Sequence, residues 1–142
     1  MPAVDVIDQT YAAVPPRALR EVLCAEPAWA RVLPDLRLDC FEDRGVRGKR
    51  WTVSGGLDGT AEVWLEEVGE GTVVHVFLQA DPATVPRSER ARAALDRAYR
   101  IRLKRWVTGV RDRLDAAREV GMPPAHVERQ LRGRAEAEDS AR

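Results

Sequence analysis

The chain of 142 residues is poor in lysine, histidine, cysteine and long apolar runs, and each scarcity excludes something. Lys49 and Lys104 are its only lysines among many arginines, which points to a GC-rich coding sequence and says nothing about mechanism. His75 and His126 are its only histidines. They fall on separate elements without Cys or Asp at ligand spacing, so no metal site is expected, and no cofactor. Cys24 and Cys40 have no CxxC spacing, which argues against a bridged or metal-bound pair. Both thiols are expected to be buried and reduced. No apolar run approaches the roughly 20 residues of a membrane helix. Met1 to Asp5 lacks the pattern of a targeting segment, so a cytoplasmic location is expected.

Net charge is also lacking, with 23 basic and 23 acidic side chains. The balance hides an asymmetry. Residues 1–86 hold 8 basic and 14 acidic groups (−6), and residues 87–142 hold 15 and 9 (+6). The two halves complement each other, and the basic face reads as solvated. Nucleic acid is the competing partner, because Arg87, Arg90, Arg97, Arg105 and their neighbours outnumber Glu89, Asp96 and Asp112. No aromatic stacking platform is interleaved with those arginines and no reader motif is present, which argues against it.

What is present suits one globular domain, with 44% hydrophobic residues. Val4 to Ala13 reads as a strand ended by Val14-Pro15-Pro16. Pro16 can open a helix over Arg17 to Cys24. Glu26-Pro27 breaks it, and Ala28 to Leu33 reads as a second short helix. Leu36 to Glu42 alternates as a half-buried strand with Leu36, Leu38 and Cys40 inward. Asp43-Arg44-Gly45 is a turn, Val46 to Ser54 a strand, and Gly55-Gly56 with Asp58-Gly59 the next turn. A two-residue loop at Gly69-Glu70 pairs Leu65 with Val74, Val63 with Val76 and Ala61 with Leu78, which gathers six apolar side chains on one face.

One helical pattern then runs from about Ser88, the expected N-cap, to Val120, with Gly121 as C-cap. Leu95, Tyr99, Leu103, Trp106, Val110, Leu114 and Ala117 form its stripe, which must lie on the sheet to be buried. The tail, residues 121–142, is expected to be flexible, with a loose turn near Val127 to Leu131.

The order of strand, two short helices, meander and long helix resembles the helix-grip domain of the START-like or SRPBCC superfamily. Val14-Pro15-Pro16-Arg17-Ala18-Leu19 is similar to that family's Ala-Pro-Pro-Glu-x-Val. The stretch from Ala25-Glu26-Pro27-Ala28-Trp29 to Leu33-Pro34-Asp35-Leu36 resembles its Asp-Pro-x-x-aromatic to Trp-x-Pro segment. Trp64 to Thr72 resembles its Leu-x-Pro-x-Gly-x-Gly-Thr hairpin. Small actinobacterial proteins called polyketide cyclase/dehydrase are the nearest likeness. The resemblance spans about residues 3 to 120. It implies an α+β fold, an antiparallel sheet of about five to six strands wrapped on one long C-terminal helix. The tryptophan that the family pattern puts near Val32 or Leu33 is absent. The five strands counted are also fewer than the family's usual six or seven, which implies a smaller or more open cavity.

The resemblance further implies a pocket between sheet and helix. Trp51, Val53, Val63, Leu65, Val74, Val76 and Leu78 would line the sheet side, and Tyr99, Leu103 and Trp106 the helix side. Such a lining suits a small hydrophobic molecule, lipid-like or polyketide-like. A filled core is the bland reading of the same residues. Tyr99 is the one weak catalytic candidate, with Arg50, Asp39 and Arg102 as charges at the rim, for a polyketide cyclase or aromatase using the same pocket. Surface ion pairing is the simpler account of those three charges. No paired carboxylates at defined spacing and no nucleophile with a base support catalysis, so binding is the favoured reading. A protein-interaction module with a vestigial pocket is the third. Alternation also puts Trp64, Val73, His75 and Phe77 on the outer face, a surface that fits a homodimer.

Overall fold

The longest helix sets the frame of the structure. The computed structural model describes residues 1–117. α3 (Glu89–Ala116) begins where Ser88 accepts a hydrogen bond from the Ala91 N–H at 3.1 Å, satisfying one of the donors a helix start leaves open. Its buried residues are Tyr99, Leu103, Val107 and Val110, with Leu95, Trp106 and Leu114 half-buried beside them. Val107 is thus a core residue outside the expected stripe, and Ala117 is exposed. Ala117 caps the described helix, and the expected continuation to Gly121 and the tail lie outside the described residues.

Five antiparallel strands form one sheet in the order β1-β5-β4-β3-β2. They are β1 (Val4–Ala12), β2 (Leu36–Asp43), β3 (Gly48–Gly55), β4 (Asp58–Val68) and β5 (Gly71–Asp81). The β4–β5 register is the expected one, with Leu65 opposite Val74, Val63 opposite Val76 and Ala61 opposite Leu78. Gly69 at φ 60°, the first of the two loop residues, supplies the left-handed turn that matches the twist of the strands.

Three local expectations are corrected. β3 starts at Gly48, not Val46, because Gly45–Arg47 forms a 3-10 turn in which Arg47 N–H donates to Arg44 O at 3.3 Å. Asp58-Gly59 belongs to β4, and the turn before it is Gly56-Leu57, with Leu57 buried. The second helix, α2 (Glu26–Val32), starts before Pro27 instead of after it. A proline in the first turn lacks only an N–H that has no helical partner there. The first helix, α1 (Pro16–Leu23), opens on Pro16 as expected.

The inner face of the sheet is covered unevenly. α3 lies beside β1, α1 reaches β4, and α2 reaches β2. Polar ties fix α3 to β1: Lys104 Nζ meets Asp8 at 3.0 Å and Thr10 at 2.9 Å, and Asp96 accepts from Asp5 N–H at 2.8 Å. Cys40 is exposed, against expectation, and Leu38 only half-buried. β2 is an edge strand, interrupted between Cys40 and Glu42, and Leu36 alone of its residues is buried.

Candidate functional site

Three indoles meet between sheet and helices. Trp29 of α2 is fully buried, 5.3 Å from Trp51 of β3 and 5.2 Å from Trp106 of α3, in a tilted and an edge-on contact. Such offset ring pairs stabilise a core beyond area burial alone. Trp29 Nε1 donates to Leu23 O at 2.8 Å, so its one polar atom is satisfied. Trp51 and Val53 share the inner face of β3 because alternate side chains of a strand point the same way. Val63, Leu65, Val74, Val76 and Leu78 continue that face, and Leu103 and Tyr99 meet it from α3. Nine of the ten expected pocket residues are buried members of one core, and Trp106 packs against it half-buried.

Two carboxylates mark the margin of this cluster. Glu26 accepts from Trp51 Nε1 at 3.0 Å and from Lys49 Nζ at 3.1 Å. Burial would raise its pKa, but hydrogen bonds from Trp51, its own backbone and Lys49 outweigh that and hold it below 4.5. Asp35 accepts from the Tyr99 hydroxyl and, through its backbone carbonyl, from Gly56 N–H at 2.8 Å. Arg102 lies 3.8 Å from the Asp35 carboxylate and 5.9 Å from the Tyr99 ring centre. Burial first, then the hydrogen bond to Asp35, push the Tyr99 phenol up to about 12.

Of the rim candidates, Tyr99 and Arg102 come together through Asp35. Arg50 and Asp39 do not join them. Arg50 sits 3.4 Å from both Glu42 and Glu62 and over the Phe41 ring, and Asp39 pairs with Arg37 at 3.2 Å. Sequence reasoning missed Trp29, Glu26, Lys49 and Asp35. Glu26, Trp29 and Asp35 stood in the very segment that carried the family resemblance, which was the available signal. A groove of about 330 Å³ between α2 and β2 is lined by Pro27, Trp29, Ala30, Leu36 and Leu38, with Glu26 and Arg37 as its charged members.

The outer face carries a second aromatic row. His75 stacks on Trp64 with ring centres 4.2 Å apart and planes 17° apart, and Phe77 follows 6.4 Å from His75. His75 points outward as alternation predicts, yet it is buried beneath Trp64 and meets Glu66 at 3.1 Å.

No family model matches the chain, and no curated protein matches it in sequence. Solved structures do match. The Aha1 dimer from Colwellia psychrerythraea superposes at a TM-score of 0.54 and 11% identity, over 79% of this chain and 96% of that one. The Thermus thermophilus protein TTHA0849 gives 0.51 at 16% identity, over 80% and 98%. The fold is the helix-grip, or START-like, fold. A Deinococcus radiodurans protein, DR_A0006, gives 0.50 at 17% identity, over 72% and 95%. At these identities the helix-grip likeness concerns architecture alone. Among the described residues no helix is long and apolar enough to cross a membrane.

Proposed function

We propose that this protein binds a small hydrophobic molecule, lipid-like or polyketide-like, between its sheet and its long helix. The observation that carries the reading is the buried indole cluster of Trp29, Trp51 and Trp106, with a groove beside Trp29 and the carboxylates of Glu26 and Asp35 at the cluster's margin. Apolar walls with a few placed polar groups are what such a ligand requires. The walls are Trp51, Val53, Val63, Leu65, Val74, Val76 and Leu78 on the sheet, with Tyr99, Leu103 and Trp106 on α3. A cyclase or aromatase would use the same space and would need Tyr99 to move protons. A phenol pushed up to about 12 and already donating to Asp35 is poorly matched to proton transfer near neutral pH, which favours binding over catalysis.

Native mass spectrometry of the protein purified from its own host tests the reading. The expected result is a retained apolar small molecule. An empty protein whose tryptophan fluorescence is unchanged by lipids and polyketides would favour an interaction module with a vestigial pocket.

The partner most in keeping with the outer face is a second copy of the chain. Ile7 and Tyr11 are each about half exposed, at 51% and 52%, on the same face as Trp64, Val73 and Phe77. A solvated sheet face rarely carries so many large apolar groups. The Aha1 structure from Colwellia psychrerythraea, which shares the architecture, is a dimer.

A further inference from the structure

A ligand of this core would need space that buried side chains now fill, Trp29 among them. The other walls of that space are strands of the sheet and the 28 residues of α3, which is tied to β1 by Lys104 and Asp96. Trp29 is carried by only seven residues of helix. α2 has no side-chain cap at its N-terminus, where Ala25 stands. Its flanks are fastened by side chains: Glu26 to Trp51 and Lys49 at one end, and Asp35 to Tyr99 at the other. Short, sparsely anchored elements are the ones that open below the global unfolding free energy. The groove between α2 and β2 lies against the buried Trp29.

We propose that α2 is a lid, and that the molecule it admits is a flat fused-ring aromatic bearing one hydrogen-bond donor. That molecule replaces the Trp29 indole between Trp51 and Trp106 and donates to the Leu23 carbonyl. The inference rests on the ligand-binding reading and names the ligand class. The space that Trp29 vacates is the shape of a bicyclic ring, and its walls are two indoles that favour tilted and edge-on aromatic contacts. Lifting Trp29 also strips Leu23 O of its donor at 2.8 Å. A buried acceptor left unpaired is costly, so a ring with an N–H or O–H is preferred over the same ring without one. A bare acyl chain meets neither demand.

The lid makes a prediction of unusual sign. Only the open fraction of the protein binds, so closing by Trp29 weakens the observed affinity. Truncating Trp29 removes the competitor and tightens binding, whereas truncating an ordinary contact residue weakens it. Wild type, Trp29→Ala and Trp29→Leu should be titrated calorimetrically with 2-naphthol and with its methyl ether, which keeps the rings and lacks the donor. The expected result is that 2-naphthol binds wild type and binds the variants at least tenfold more tightly. The ether should be at least tenfold weaker throughout. Trp29→Leu decides the matter if Trp29→Ala does not fold. In wild type, 2-naphthol should speed amide exchange across α2 and leave β4 and β5 unchanged. Binding to wild type that both substitutions weaken or leave unaltered, with α2 exchange unmoved, overturns the lid while the ligand-binding reading stands. No binding by any of the three overturns the lid and its ligand class. The broader reading then falls only if host-purified protein is also empty.

Discussion

Tyr99 and Cys24 illustrate how burial alters a side chain that looks reactive in the sequence. The Tyr99 phenol is pushed up to about 12, first by burial, which penalises the phenolate, and then by its hydrogen bond to Asp35. A raised pKa means that the protonated phenol stabilises the fold fully below its ordinary value of 10, and that this contribution is lost as the pH rises from 10 through about 12. In a Tyr11→Phe background Tyr99 is the sole tyrosine. Its phenolate absorbance should then appear near pH 12, and adding Asp35→Asn should move the transition toward 10. A transition unaffected by Asp35→Asn would discredit the Tyr99–Asp35 bond. Cys24 is pushed up to about 11 by burial, while Cys40 is exposed. A thiol reagent at pH 8 should therefore label one cysteine of the native protein quickly, and the second only on unfolding. Rapid labelling of both would contradict the burial of Cys24. Both residues were visible in the sequence; their difference was not, because β2 alternates like a buried strand and yet lies at the sheet edge.

At the level of elements, the β3–β4 pair depends on one residue without a side chain. Gly48 has φ 121°, and a Cβ there would stand 1.9 Å from Val63 O. Gly45, three residues earlier at φ 64°, has open space around it. Gly45→Ala should cost about 1–2 kcal/mol, the penalty of a left-handed alanine. Gly48→Ala should cost distinctly more, because the strand itself must shift. Urea unfolding of the two variants makes the comparison, and equal losses would mean that β3 and β4 do not approach so closely. Sequence alternation set the β4–β5 register correctly because one face of that hairpin is buried and a one-residue slip would expose it. The start of β3 was misread because Val46 looks like strand, while the 3-10 turn is decided by contacts from elsewhere: Arg20 binds Gly45 O and, at 3.0 Å, Asp43.

For the whole molecule, the two faces of the sheet have different expected roles. The inner face supports α2 and α3, and the outer face offers its aromatic row to a second copy. Light scattering at micromolar concentration should report a dimer for wild type and a monomer for Trp64→Glu, since a carboxylate in an apolar interface is strongly unfavourable. A wild-type monomer that the substitution leaves unchanged would remove the outer face as a partner surface. The order of elements, the single long helix and the five strands were all legible in the sequence. The indole cluster was not, since Trp29, Trp51 and Trp106 are separated by 22 and 55 residues and meet only when the chain is folded.

The fold follows from local signals, because hydrophobic period, proline and glycine placement and the Ser88 cap each constrain the backbone and agree with one another. What fills the interior is set by long-range contacts. The same apolar residues can wall a cavity or fill it, and the difference lies in where α2 sets its one tryptophan. That position depends on side chains far apart in the chain, Glu26 with Trp51 and Asp35 with Tyr99, whose pairing no local pattern encodes.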